Sequence, residues 1–491
     1  MKTLTTGIIL ALCWCTWIEA APAKAADAPA QGNPAEGTPV VADKLYQETY
    51  RPQFHYTTQQ GWINDPIGLV FYKGQYHLFN DHNPASCRFP GGRTSGEQSH
   101  WSHAVSPDLV HWKQMPIAVF PDSHGACWSG SGVVDWNNTA GFQAGEDKTL
   151  VLIYTSAGGT FTQSLVYSTD RGRTWTKYEK NPVLGHIAGS NRDPKVLWHA
   201  PTKKWVMALF LDKNNYALFA SPDLKAWERL CDVLVPDAGE CPDFFELPID
   251  GNPKNTRWVF WGGNNTYLLG TFDGKTFTQE SGPHPSNWGG NCYAAQTWSD
   301  ILPSDGRRLQ IAWMSGGKYP GMPFNQQMSF PTELALRTTP EGVRLTKKPV
   351  REIENIHAKK HSWASRALAP GGENLLSGLE GELFDIRAEI ELGKATEVGF
   401  TLRGQKVRYD AAAKEVTALG KKAPLAPIDG RIRLQILLDR TTIEVFGNDG
   451  LIAMPTCFLP DLANRTLAVY AEGGEARIVS LEVYELRSAW K

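Results

Sequence analysis

A short element recurs along the first two thirds of this chain, and its spacing limits the folds available. Ser106-Pro107-Asp108 is followed by Trp112, Ser168-Thr169-Asp170 by Trp175, Ser221-Pro222-Asp223 by Trp227, and Thr271-Phe272-Asp273 by Phe277. The starts at 106, 168, 221 and 271 lie roughly 50 to 60 residues apart, a length that fits one four-stranded blade. Ser/Thr-x-Asp supplies turn chemistry, and the aromatic that follows is placed to wedge between neighbouring sheets. Between the elements run alternating apolar and polar stretches at residues 68–79, 150–155, 205–211 and 257–262, which suit antiparallel strands. A fifth unit fits residues 293–314, and helical periodicity is scarce throughout. The expectation is an all-β protein with a five-bladed β-propeller over residues 49–350.

A second all-β region is expected at residues 365–491. Strand candidates fall at 382–392, 396–403, 432–438, 442–446 and 480–486, with Asn448-Asp449-Gly450 as a tight turn. This pattern predicts a C-terminal β-sandwich. The charged stretch 351–364 is expected to be a connector.

Residues 1–25 have the organisation of a signal peptide: Lys2, an apolar run over 7–17, and Ala23-Lys24-Ala25 as a cleavage site. The run is too short to span a bilayer. Residues 26–48 are rich in Ala, Pro and Gly and fit a flexible linker. A secreted protein, extracellular or periplasmic, is therefore expected. The formal net charge of -2 gives no electrostatic case for nucleic acid or an anionic membrane as partner. Six cysteines lie beyond the leader and allow 15 pairings, among which the sequence does not choose. His100 and His103 flank Trp101 and fit a structural role better than zinc ligation.

Three acidic signatures stand in order: Trp62-Ile63-Asn64-Asp65-Pro66, Arg192-Asp193-Pro194 and Glu240-Cys241-Pro242-Asp243. Each opens an apolar, strand-like run. Proline favours an extended conformation in the residue before it, so the expectation is an extended backbone at Asp65 and Asp193. In a propeller the innermost strands meet around one axis, so these distant carboxylates can converge in a funnel. Together they can supply a nucleophile, a general acid and a fixed negative charge, the set that glycoside hydrolysis needs. Asp243, after Pro242, fits a structural hydrogen-bonding role better than a second acid. The propeller alone establishes no enzyme, since the fold hosts many functions.

The motifs resemble glycoside hydrolase family 32, the β-fructofuranosidases that include invertases, inulinases and levanases. The resemblance covers about residues 50–490 and rests on the three acidic signatures together with several further segments. These are Tyr76-His77-Leu78-Phe79, Trp128-Ser129-Gly130-Ser131, residues 293–298 and 328–337, and residues 439–446 in the second region. It implies Asp65 as nucleophile, Glu240 as general acid/base and Asp193 as transition-state stabiliser. It also implies that Asn64, Trp128, Ser129, Arg192 and Trp313 line a fructose pocket, with Phe89 near an aromatic position. No metal or organic cofactor is expected, and the partner is a fructan or sucrose substrate. Arg192, beside Asp193, is expected to favour the charged form of that carboxyl.

The chain departs from the family pattern at two places. Ile67 replaces the usual Asn before Gly68, and Asn80-Asp81 follow Tyr-His-Leu-Phe where an aromatic and Gln are usual. Asp81 is expected to add a carboxylate near Asp65 and to alter the bound sugar or leaving group. The implied activity is that of a retaining exo-β-fructosidase acting on levan, inulin or sucrose. A fructosyltransferase on the same scaffold and a noncatalytic fructan-binding propeller are the alternatives. No Gly-x-Ser-x-Gly elbow is present to support a serine hydrolase.

Overall fold

The structure, a computed structural model, describes residues 45–90 and 97–490. The expected signal peptide, most of the expected linker and residues 91–96 lie outside the described residues. Five antiparallel groups of four strands follow one another along the chain and form the blades of a propeller. The short strand Phe324–Asn325 pairs in parallel with the inner edge of the first, and the fourth and fifth are joined into one eight-stranded sheet where Ile249 pairs with Leu336. The innermost strands of the blades are Gly61–Tyr72, Ala126–Asp135, Arg192–His199, Asp243–Ile249 and Tyr293–Thr297. These strands are buried along nearly their whole length, whereas an outermost strand such as Glu228–Leu234 is largely exposed. That gradient explains the sequence pattern: near-continuous apolar runs at the hub and polar residues at the rim.

The recurring aspartate element is the turn between the third and fourth strands of blades 1 to 4. Asp108 Oδ1 accepts the backbone N–H of Val110 and His111, and Asp223 Oδ1 accepts those of Lys225 and Ala226. Asp170 and Asp273 accept the equivalent pairs. The aromatic after each turn packs inward. Trp112 stacks on Trp298 of blade 5, and Trp175 meets Phe79 of blade 1 edge-on.

Blades 1 and 5 close the ring. Phe71 N–H donates to Ser299 O at 3.0 Å and Ser299 N–H donates to Leu69 O at 3.0 Å. At the hub, the buried Lys195 Nζ donates to Thr297 O at 2.7 Å and lies 3.4 Å from Asp243 Oδ1. Asp243 Oδ2 accepts Thr297 N–H at 2.6 Å. Asp243 thus ties three inner strands together.

The second region is a sandwich of a six-stranded and a five-stranded sheet. Its first strand, His357–Leu368, starts inside the stretch expected as a connector. It pairs along its length with Ala476–Leu486, and only the short 3-10 helix Arg351–Ile356 joins the two regions. It lies at the edge of the six-stranded sheet and is exposed along most of its length, and those solvent-facing positions supply the charge that suggests a connector. Tyr46 and Glu48, within the expected linker, are held as well. Tyr46 stacks on Trp490, and Glu48 pairs with Arg51. All six described cysteines are free thiols.

Candidate active site

Asp65 lies in the innermost strand of blade 1, where the ladder shifts register between Ile63 and Pro66. Pro66 has no N–H to donate, which suits a break in the ladder. Gly68 follows with φ +62, and a Cβ there would meet the Phe79 ring at 2.6 Å. Ile67 faces away from the funnel into the packing between blades, beside Phe79 and Trp101. Its hydrophobic side chain is therefore core, and it leaves the cavity unaltered.

Asp193 opens the innermost strand of blade 3, and Glu240 lies in the loop before that of blade 4. Asp193 and Cys241, each before a proline, have φ of +62° and +54°. The extended backbone expected at Asp193 is not what forms. Left-handed φ at a non-glycine residue costs about 1–3 kcal/mol and persists only where surroundings impose it. Here they do: Asp193 N–H donates to Thr155 Oγ1 at 2.9 Å, and Cys241 N–H donates to Asp193 Oδ2 at 3.1 Å.

Every site residue singled out from the sequence lines one cavity of about 260 Å³. Asn64, Asp65, Asp81, Phe89, Trp128, Ser129, Arg192, Asp193, Glu240 and Trp313 are joined there by Pro90 and Ser99. Ser129 Oγ lies 2.6 Å from Asp65 Oδ2 and 2.8 Å from Asp81 Oδ2. Asn64 Nδ2 donates to Asp81 Oδ2 at 3.3 Å. Arg192 Nε donates to Glu240 Oε2 at 3.0 Å, and the Tyr293 hydroxyl donates to Glu240 Oε1 at 2.9 Å. Trp62 stands edge-on between Phe89 and Trp313 and builds an aromatic wall.

Burial dominates the electrostatics. Asp65 and Asp81 are 7% and 5% exposed, while the Glu240 side chain keeps 30% exposure. Burial pushes the Asp65 carboxyl up, the bond from Ser129 pulls it back, and the Glu240 charge adds to the rise. Asp81 is pushed well above the usual carboxylate range by burial and by the Asp65 charge. At Asp193 burial outweighs the Arg192 guanidinium, and the carboxyl rises to about 7. The sequence pointed to Arg192 as the deciding influence there. The guanidinium instead reaches across to Glu240 and lies 3.6 Å from Asp193.

Three contributors escaped the sequence reading. Cys241 Sγ lies 3.3 Å from Asp65 Oδ2 and 3.5 Å from Asp193 Oδ2. Tyr293 holds Glu240, and Trp62 braces the aromatic wall. All three sit inside segments already picked out, but nothing in a linear chain assigns them partners. His103 packs against His77, with Nε2 3.0 Å from His77 Nδ1, and stacks on Phe79. No group of His, Cys, Asp or Glu among the described residues is arranged to hold a metal ion.

Fold and cavity together define a glycoside hydrolase of the propeller-plus-sandwich kind. The sequence model of the Glycosyl hydrolases family 32 N-terminal domain matches residues 55–349, and that of the family 32 C-terminal domain matches residues 352–485. The chain belongs to glycosyl hydrolase family 32. It is 39% identical to a levanase of Bacillus subtilis over 91% of this chain and 72% of that protein. It is 30% identical to the extracellular exo-inulinase of Aspergillus ficuum over 91% of this chain and 96% of that one. Among solved structures, the exo-inulinase of Aspergillus awamori superposes with a TM-score of 0.80 at 27% identity, covering 91% and 100% of the two chains. A fructofuranosidase of Schwanniomyces occidentalis, complexed with fructosylnystose, gives 0.82 at 26%, covering 92% and 100%.

Proposed function

We propose that the chain is an exported, retaining exo-β-fructosidase that removes terminal β-fructofuranosyl units from fructans and from sucrose. The observation that carries this reading is the meeting of Asp65 and Glu240 in one cavity, with Asp193 between them in chain order. Asp65 acts as the nucleophile. The bonds from Ser129 and Cys241 both end on its Oδ2, which leaves Oδ1 for the anomeric carbon. Glu240, the most exposed of the cavity's carboxyls, gives its proton to the leaving oxygen and then takes one from water. Asp193 hydrogen-bonds sugar hydroxyls as oxocarbenium character grows. Asn64, Asp81, Trp128, Ser129, Arg192 and Trp313 hold the fructosyl ring.

The names of the relatives support fructans as the substrate class, and a small cavity suits a chain end better than a chain interior. Export is supported by the leader and by the extracellular relatives, and no described helix is long and apolar enough to cross a membrane. Chromatography of levan, inulin and sucrose digests tests the reading. Free fructose as the first and growing product is expected. A ladder of oligosaccharides from levan or inulin would refute exo action.

A further inference from the structure

The Ser129 hydroxyl has two carboxyl oxygens as close neighbours, Asp65 Oδ2 at 2.6 Å and Asp81 Oδ2 at 2.8 Å. A hydroxyl owns one proton, and an ionised carboxylate has none to return. If both acids were charged, one of these contacts would press two electron-rich oxygens together inside a buried site. Asp81 has a second difficulty. Its Oδ1 is shut off from solvent without a hydrogen-bond partner among the described residues. Its remaining donor is Asn64 Nδ2 at 3.3 Å. An ionised oxygen left in that state is costly, whereas the carbonyl oxygen of a neutral acid is tolerated.

The groups facing Asp81 do not relieve it. Asp65 from blade 1 and Asp193 from blade 3 are acidic, the Cys127 thiol of blade 2 lies nearby, and Asn64 and Ser129 are neutral. The Arg192 guanidinium is engaged by Glu240, Ser190 and Asp193. Burial and the like charges both favour the protonated carboxyl.

We propose that Asp81 is held as a neutral carboxylic acid whose Oδ2–H donates to Ser129 Oγ, so that the Ser129 hydroxyl aims its single proton at Asp65. The proton stays on Asp81 throughout turnover. Asp81 is then a positioning residue that acts on Asp65 through Ser129. A neutral acid can donate and accept, as the glutamine usual at this place in the family can, so the departure preserves a hydrogen-bonding role. The inference rests on the reading of Asp65 as the nucleophile.

The test is infrared difference spectroscopy of the full chain at pH 6, wild type against Asp81→Asn, joined to pH profiles of kcat/KM. The C=O stretch of a protonated carboxyl should be present in the wild type and missing from the variant. The acid limb of the profile should move by less than about 0.3 pH units, because one neutral group replaces another. No band in the difference spectrum would overturn the proposal. A fall of the acid limb by about one unit or more, the effect of removing a neighbouring charge, would do the same. If Asp81→Asn does not fold, Ser129→Ala serves: the Asp81 band should shift on losing its acceptor, and an unshifted band overturns the proposal. Turnover by Asp65→Asn would remove the nucleophile reading while leaving the Asp81 band in place, so the two failures are distinct.

Discussion

Buried aspartates at two places in this molecule are driven in opposite directions. In the cavity, Asp65, Asp81 and Asp193 are all raised. Where the segment before blade 1 meets the sandwich, Asp439 is just as buried and is lowered. Burial works against the charge at both places, so the difference lies in the donors. Asp439 accepts the backbone N–H groups of Gln53, Phe54, His55 and Arg440 and also His55 Nδ1 at 2.8 Å. The other ring nitrogen of His55 lies 3.0 Å from Glu444 Oε1, which also accepts Phe330 N–H. Burial pulls the His55 imidazole down, yet its two carboxylate partners prevail and carry it to about 9. A carboxylate whose oxygens are met by N–H groups stays charged in the interior. Where two acids share a single hydroxyl, one of them does not. The clamp is satisfied structure, and the cavity keeps its groups unsatisfied for a substrate.

The largest expected effect separates the two places by function. Glu240→Gln should lower turnover of fructans by roughly 10²–10⁴-fold, the usual share of general acid–base catalysis, with little loss of thermal stability. Steady-state rates on a good and a poor leaving group check it. The deficit should shrink with the good one, and equal deficits would put Glu240 outside proton transfer.

Breaking the clamp should do the reverse. His55→Leu leaves Asp439 and Glu444 as unpaired buried charges, at a cost of about 3–5 kcal/mol. Thermal unfolding should show a clearly lower midpoint at pH 6 that converges on the wild type at high pH. The sign follows from the raised folded pKa. The contribution of His55 is complete below its unfolded value of 6.5 and is lost as pH rises through about 9. Asp193 works in the same sense at lower pH. Its folded value of about 7 against 3.8 unfolded makes the fold less stable as pH rises across that window. The wild-type midpoint should therefore fall from mildly acidic pH towards pH 9. A midpoint that rises over that range would break the comparison.

The smallest effect belongs to Tyr293→Phe, which deletes one hydrogen bond to a partly exposed carboxyl. A loss of about 1 kcal/mol, or about fivefold in kcat/KM, is expected. An unchanged pH profile of the variant would show that Tyr293 has no influence on Glu240.

Much of this could be read in the linear chain for definite reasons. The aspartate turn needs only local residues, since each carboxylate caps N–H groups two to four positions on, so its recurrence announced four blades. The fifth blade lacks that turn and was visible only through its apolar runs. The edge strand at His357 reads as a connector because eight of its twelve residues are exposed. The positive φ at Asp193 was hidden too. Local preference argues for an extended residue before proline, and the bonds to Thr155 and from Cys241 override it.

The sequence by itself determined the all-β class and the blade count, because turn chemistry and strand alternation act over a few residues, and its three acidic signatures marked the carboxyls that meet in the cavity. The direction of each acid's charge balance was decided by tertiary structure alone. Asp81 and Asp439 are the same residue type, and both are buried. Whether such a group holds its proton depends on donors that reach it from strands and loops as many as 386 positions away.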